Sequence, residues 1–478
     1  MSSSMSRNTI WSFLSIVGVQ FINIMTNVAL ARILSPETFG ILGMAIVFAG
    51  FAFVVQEAGL NSYLIFKKGD IQKVVSTTFW LNIIFSIVIA GALYFSSGAI
   101  ADFYRDTHVI TILHFICIGI LVGSIGSTHR ALLMKNNQFK DVTKVDILAE
   151  VVSSIAAIIL ALYINGLLAV SAKYVFRPFI QSLIVFKYSK YRIQFAIYID
   201  ELKDLFLYSA NVLGSQLFMY MNNNVDFFLV GRFLGDKILG IYTLAFQWGA
   251  LARYYLSGAV MRVVFPEVSR RQDDPSKLKD MYLNVVSKLA FITLPICFGL
   301  ALVAHEFIYV LYGEKWMDVV PVLQLLLIAG GISSISVVGG PVLRGIGRPD
   351  LEMKLSVFSF VSFTALVLIG VKNGLLAVAI AECCRVVLVE TTRLWLIRKH
   401  LGVSVRAVCK QLLPTVQSLV LMIIVLYGIN LLEIEINVLI LFVLKIAIGA
   451  AAYIAGSFIF NKSQSKWILN YVKKKQAA

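Results

Sequence analysis

Eight of the chain's 42 basic residues fall inside long apolar runs: Lys173, Arg177, Arg253, Arg262, Lys288, Arg385, Arg393 and Lys445. A cation at the bilayer centre costs about 2.5–3.5 kcal/mol on insertion scales, so such residues normally face a bundle interior or an aqueous cavity. The chemistry open to them there is recognition of an anion, and arginine presents a fork of donors that matches phosphate oxygens. Arg177 lies well inside its run, about 15 Å deep at 1.5 Å per residue. Arg385 falls at a matching depth in a later run, and Lys173 stands one helical turn before Arg177 on the same face. Arg177, Arg385, Lys173 and Arg253 are therefore the candidate cationic lining. Pro178 follows Arg177 and is expected to free a backbone carbonyl toward the cavity. A structural alternative stays open, because Glu382 and Glu390 each stand three residues before an arginine they can neutralise. Arg262, Lys288 and Arg393 lie toward the ends of their runs and are expected to snorkel. Lys445 is expected to serve packing or a lipid groove.

Acidic groups are fewer. Asp146 and Glu150, one turn apart, and Glu382 are candidates for coupling to a cation or a proton; the first two also fit a solvated helix start beside Lys144. Asn222, Asn223, Asn224 and Asp226 cluster where the helix is expected to be locally broken, and Gln20, Asn23 and Asn27 occupy the corresponding part of the first run. Asn23, Asn27, Asn223 and Asn224 suit the wall of a hydrated cavity, or equally a set of interhelical hydrogen bonds. No catalytic residue, resident metal or organic cofactor is called for, beyond Na+ or H+ as a coupling ion.

The elements that position these groups are membrane helices. Of the 478 residues 59% are hydrophobic and 14% charged, with a mean hydropathy of +0.84. A soluble domain carries about 25% charged residues. Apolar runs near 9–31, 37–60, 75–97, 108–128, 145–163, 167–187, 204–230, 238–265, 281–304, 319–343, 355–371, 374–397, 411–430 and 437–460 give fourteen expected spans. With the N-terminus inside, alternate loops hold 28 basic residues on the cytoplasmic side against 6 outside, as the positive-inside rule requires. Both termini are then cytoplasmic. The net charge of +16 is scattered over many short loops, which excludes nucleic acid as a partner and leaves membrane lipid. The first run is too long for a signal-peptide core and is expected to remain as a helix. The five cysteines fall in apolar segments or beside a basic loop and form no disulfide framework.

The chain also resembles itself. Asn165-Gly166-Leu167-Leu168-Ala169-Val170 recurs as Asn373-Gly374-Leu375-Leu376-Ala377-Val378, and Arg177 then aligns with Arg385. Ala31-Arg32-Ile33-Leu34 with Gly40-Ile41 likewise aligns with Gly231-Arg232-Phe233-Leu234 with Gly240-Ile241. Six spans per copy is an even number, so the repeat is parallel, as in two lobes that face each other across an axis normal to the membrane. The expected architecture is all-α: an N-lobe over residues 1–190, a C-lobe over 191–400, and two further helices with a basic tail over 401–478.

The stretch Leu30-Ala31-Arg32-Ile33-Leu34-Ser35-Pro36-Glu37-Thr38-Phe39-Gly40, followed by Gln56-Glu57-Ala58-Gly59-Leu60, resembles the opening of the polysaccharide-transporter (Wzx-like) flippases. Gly339-Gly340-Pro341-Val342-Leu343-Arg344-Gly345-Ile346-Gly347-Arg348-Pro349 resembles the same family. Within the multidrug/oligosaccharidyl-lipid/polysaccharide superfamily, the chain is most similar to the branch that exports colanic and teichuronic acid units. The resemblance implies a fold like that of the multidrug and toxic-compound extruders and a place in a bacterial inner membrane. It implies a cargo of lipid-linked oligosaccharide on undecaprenyl pyrophosphate, flipped toward the periplasm by alternating access for exopolysaccharide, capsule or O-antigen assembly. It also implies a cationic cavity, and a polysaccharide polymerase and chain-length regulator as partners. Three alternatives are a multidrug extruder, a lipid II flippase of the same fold, and a membrane-embedded polymerase. The last needs a sizeable outer loop, and none longer than about a dozen residues is expected.

Overall fold

A computed structural model of the chain describes residues 2–466 apart from 57–59, 68–70, 190, 192–193, 195, 252–267, 269, 271–273 and 433–435. Every regular element among them is helical. Lipid offers no partner for backbone N–H and C=O groups, so a spanning segment must satisfy them within itself. Eleven helices among the described residues are long and apolar enough to cross a membrane, which makes this a multi-pass membrane protein. Three further expected spans fall on α8 (Ile199–Leu234), α9 (Asp236–Gly249) and α15 (Leu375–Leu401). α8 carries the asparagine cluster, α15 carries four charges in its body, and the continuation of α9 lies outside the described residues. The count of fourteen thus rests on the sequence.

By packing, the chain separates into two compact units, Met1–Gly240 and Ile241–Ala478. In the first, α5 (His108–Lys135) packs on α4 (Ile71–Tyr104), α7 (Gly166–Tyr188) and α2 (Pro36–Gln56). α6 (Phe139–Tyr163) lies between α7 and α1 (Ser2–Ile33). Ile112, Leu113, Ile116 and Ile120 of α5 are sealed in the core, whereas Phe95, Ile155 and Ile159 stay exposed and face lipid. α8, which opens the second copy of the repeat, packs on α2 and α4 within this first unit, and Tyr220 Oη donates to Val47 O at 2.7 Å. The connector before α8 is held to α4: Ser76 Oγ donates to Ala196 O at 2.6 Å and Tyr198 N to Thr77 Oγ1 at 3.0 Å.

In the second unit α10 (Pro275–Leu302) packs on α12 (Val319–Ser336) and α16 (Val405–Leu431), and α17 (Val438–Phe460) closes on α16. Between α10 and α12 runs the short α11 (Ala304–Tyr312), and α14 (Pro349–Gly370) packs on α15. Leu294, Leu419, Met422, Leu426 and Tyr453 form a core here, and Tyr453 Oη donates to Phe291 O at 2.8 Å.

Two local expectations are corrected. Pro178 removes the N–H that would bond to Tyr174 O, but that carbonyl faces α5 and not a cavity. A Cβ on Gly119 would lie 2.1 Å from it, so only glycine lets α5 approach so closely. The expected break at Asn222–Asp226 is also absent: α8 runs through, and Asn224 Nδ2 donates to Tyr220 O one turn back at 2.8 Å.

The repeat-equivalent glycines 40 and 240 make reciprocal contacts. A Cβ on Gly40 would lie 1.7 Å from Asp236 O, and one on Gly240 would lie 2.0 Å from Pro36 O. Overpacking of this kind costs about 1–3 kcal/mol. Gly40→Ala and Gly240→Ala should each lower the thermal midpoint of the detergent-purified protein. Gly91→Ala, with nothing among the described residues within 4 Å of its Cβ, should not. A Gly40→Ala protein that melts with wild type would contradict the contact.

Candidate functional site: a charged stripe in the first unit

On α7, Lys173, Arg177 and Gln181 recur at four-residue steps and so form one stripe. On the antiparallel neighbour α6, Glu150 and Asp146 stand one turn apart and meet it. Lys173 Nζ lies 2.8 Å from Glu150 Oε1, and Arg177 Nε lies 2.8 Å from Glu150 Oε2. The second contact is off the N–H direction, leaving Oε2 without a hydrogen bond among the described residues, so it is Coulombic in character. Asn23 Nδ2 of α1 donates to Glu150 Oε1 at 3.3 Å, and Asn27 Nδ2 donates to Asn23 Oδ1 at 3.1 Å. Glu150 has no exposed surface. Three residues singled out in the sequence thus converge on one carboxylate, and Asn27 joins them through Asn23.

Asp146 closes the inner end of the stripe. Arg130 of α5 donates to it in fork fashion, Nε to Oδ1 at 3.0 Å and Nη2 to Oδ2 at 2.8 Å. Gln181 Nε2 donates to Oδ1 at 2.9 Å and Ser15 Oγ to Oδ2 at 3.1 Å. Both carboxylates are buried, so the solvated helix start is ruled out. Asp146 is saturated by fixed donors and acts as an anchor for four helices. Glu150 is held by two cations and one amide, which is a looser arrangement. Three cations face two carboxylates along this stripe, and Arg177 is the most exposed of them, with Arg130 at 34% committed to Asp146. The Arg177 side chain is 44% exposed, against 13% for Lys173. The Nη1 and Nη2 atoms of Arg177 make no hydrogen bond among the described residues.

The second unit holds Arg385 differently. It is 7% exposed. Its Nε donates to Glu382 Oε2 at 2.6 Å and its Nη2 to Glu382 Oε1; its Nη1 donates to Ser359 Oγ at 3.3 Å. The Phe363 ring centroid is 5.0 Å from the guanidinium. Arg177 and Arg385 are equivalent in the repeat, but one carboxylate comes from the neighbouring helix and the other from the same helix. Arg393 does not snorkel: it is drawn to Glu390 and toward Ser336 O. Asn223 is half-buried, Asn224 is spent on its own helix, and Arg253 lies outside the described residues.

Sequence reasoning missed Arg130, Ser15 and Gln181. Gln181 was open to detection, since it continues the four-residue stripe of Lys173 and Arg177. Arg130 gave no signal, because its run of basic neighbours placed it in a cytoplasmic loop.

Removing one partner of a buried pair costs about 3–5 kcal/mol, because the other charge is left uncompensated. Glu150→Ala should therefore lower the thermal midpoint in detergent, and adding Lys173→Met should recover part of the loss. A double variant no better than the single would show that the two groups are not coupled.

A model of the polysaccharide biosynthesis protein family matches residues 29–321. The teichuronic acid biosynthesis protein TuaB of Bacillus subtilis is 28% identical over 352 residues, 71% of each chain. The succinoglycan biosynthesis transport protein ExoT of Rhizobium meliloti is 24% identical, over 80% of this chain and 78% of its own. Among solved structures, the lipid II flippase MurJ in an inward closed conformation superposes with a TM-score of 0.73 at 16% identity. That match covers 96% of this chain and 99% of the other, and it establishes a shared fold. The match of one family model to well over half of the chain, on an all-helical membrane fold of the MurJ kind, makes this chain a member of the polysaccharide biosynthesis protein family.

Proposed function

We propose that the chain is a flippase for oligosaccharide repeat units linked to undecaprenyl pyrophosphate. It moves them from the cytoplasmic to the periplasmic leaflet of a bacterial inner membrane by alternating access, for exopolysaccharide, capsule or O-antigen assembly. The observation that carries this reading is Arg177: a half-exposed guanidinium deep in an apolar helix, with Lys173 one turn away and a single enclosed carboxylate shared between them. A pyrophosphate carries about two negative charges and cannot enter hydrocarbon without replacement of its hydration. The Nη atoms of Arg177 offer that replacement in a fork geometry suited to phosphate oxygens. Family membership and the named roles of TuaB and ExoT supply the saccharide, and the MurJ-like fold supplies the means of moving it.

In the absence of cargo Glu150 holds both cations. Arriving phosphate oxygens compete with Glu150 for Arg177, while Asp146 keeps the helices in place. Coupling to an H+ or Na+ gradient is assigned to Glu150 over Asp146 and Glu382, because the latter two are saturated by fixed donors. The polyprenyl tail stays in lipid. A periplasmic polymerase and its chain-length regulator would consume the product, and both termini lie in the cytoplasm.

The test is flipping of a fluorescent undecaprenyl-pyrophosphate oligosaccharide in proteoliposomes. Wild type should move it, and Arg177→Ala should slow it about ten-fold or more, the equivalent of one lost charge-assisted contact. Arg385→Ala should lose transport only in proportion to folded protein lost. A folded wild type that stays silent under cation gradients of either sign would overturn the cargo and favour a multidrug extruder.

A further inference from the structure

We propose that the second unit binds a phosphatidylethanolamine headgroup in a cavity separate from the charged stripe, beside a buried Glu306–Lys445 pair. The cavity measures about 360 Å³ and is lined by both residues together with His305, Asn430, Ile429 and Leu441. Glu306 is 7% exposed and Lys445 4%. Lys445 Nζ donates to Glu306 Oε1. Glu306 Oε2 is buried and has no hydrogen-bond partner among the described residues. Lys445 makes no other bond among the described residues, so two of its three N–H donors are unused.

Such a pair contributes little net stability, since apolar residues of the same volume usually serve as well. An orphaned carboxylate oxygen is a further cost. Both are met by a ligand that brings a donor cation to Glu306 Oε2 and an anion to Lys445. Phosphoethanolamine carries both, on adjacent groups. A phosphatidylglycerol headgroup offers the phosphate but nothing positive for Glu306. A choline headgroup has no N–H, and none of the described residues lining this cavity supplies the Trp, Tyr or Phe ring that quaternary ammonium groups prefer.

The source is a lipid because of what surrounds the cavity. It sits where α16 ends and α17 begins, and α17 exposes Leu439, Ile440 and Val443 around Lys445. These residues face hydrocarbon, and acyl chains lying along them would leave the headgroup at the level of Glu306.

Native mass spectrometry of the full chain tests this, with phosphatidylethanolamine, phosphatidylglycerol and phosphatidylcholine of matched acyl chains supplied together. Wild type should retain the ethanolamine lipid about ten-fold over either competitor, the weight of one charge-assisted contact. Glu306→Gln should erase the preference over phosphatidylglycerol. Glu306→Leu/Lys445→Leu removes both charges together, leaves none uncompensated, and should lose the preference altogether. Equal uptake of the three lipids by wild type, or an undiminished preference in either variant, overturns the proposal. Soluble O-phosphoethanolamine forms the last arm. The lipid should survive about a ten-fold excess of it, and displacement at equimolar concentration would move the source from bilayer to solution and overturn the lipid assignment.

Discussion

An ion in hydrocarbon needs a counter-ion, and that requirement sets much of this structure. Lys173 and Arg177 share Glu150; Arg130 holds Asp146; Arg385, Arg393 and Lys445 are matched by Glu382, Glu390 and Glu306. Each match fixes more than a charge. With Asp146 and Glu150 turned toward α1, α5 and α7, the opposite face of α6 must carry whatever meets lipid. Leu148, Val152, Ile155 and Ile159 stand there, all exposed. The rotation of the helix about its axis is therefore decided by two carboxylates, and its apolar residues follow.

Pairing also explains why the two repeat-equivalent arginines differ in exposure. Arg385 receives its carboxylate from three residues earlier on its own helix, and Ser359 and Phe363 complete its enclosure. Arg177 has no acid on its own helix and must reach across to α6, which leaves its outer nitrogens uncovered. A duplicated backbone thus supports one enclosed arginine and one whose side chain stays half exposed. Backbone placement was inherited twice, but the supply of carboxylates was not.

Most of the architecture was legible in the sequence, because lipid imposes a length and a polarity that twenty-residue windows reveal. The convergence of Lys173 and Arg177 on one face followed from a spacing of four. Partners across the chain did not follow from any spacing: Glu306 and Lys445 are 139 residues apart, and nothing local in either segment announces the other. Local context also changed what identical residues do. In the first copy of the repeated sextet Asn165 caps its helix, its side chain accepting from Leu167 N at 2.8 Å. In the second, Asn373 closes a 3-10 turn and Gly374 takes the cap with φ at 89°. Six shared letters start two helices in two ways, because the residues before them differ. The carbonyl freed by Pro178 was foreseeable, but its direction depended on Gly119, 59 positions earlier.

The contact between Gly40 and Asp236, mirrored by that between Gly240 and Pro36, has a form that single chains have no need of. Position 40 of the first copy meets position 36 of the second, and the second copy's 40 meets the first copy's 36. This is the isologous pattern of a two-fold homodimer, in which residue i meets j and j meets i. The two copies of the repeat thus meet through one shared surface, to which each contributes the same pair of positions. The match is one of position and not of side chain: Pro36 and Asp236 differ, while a glycine stands at both 40 and 240.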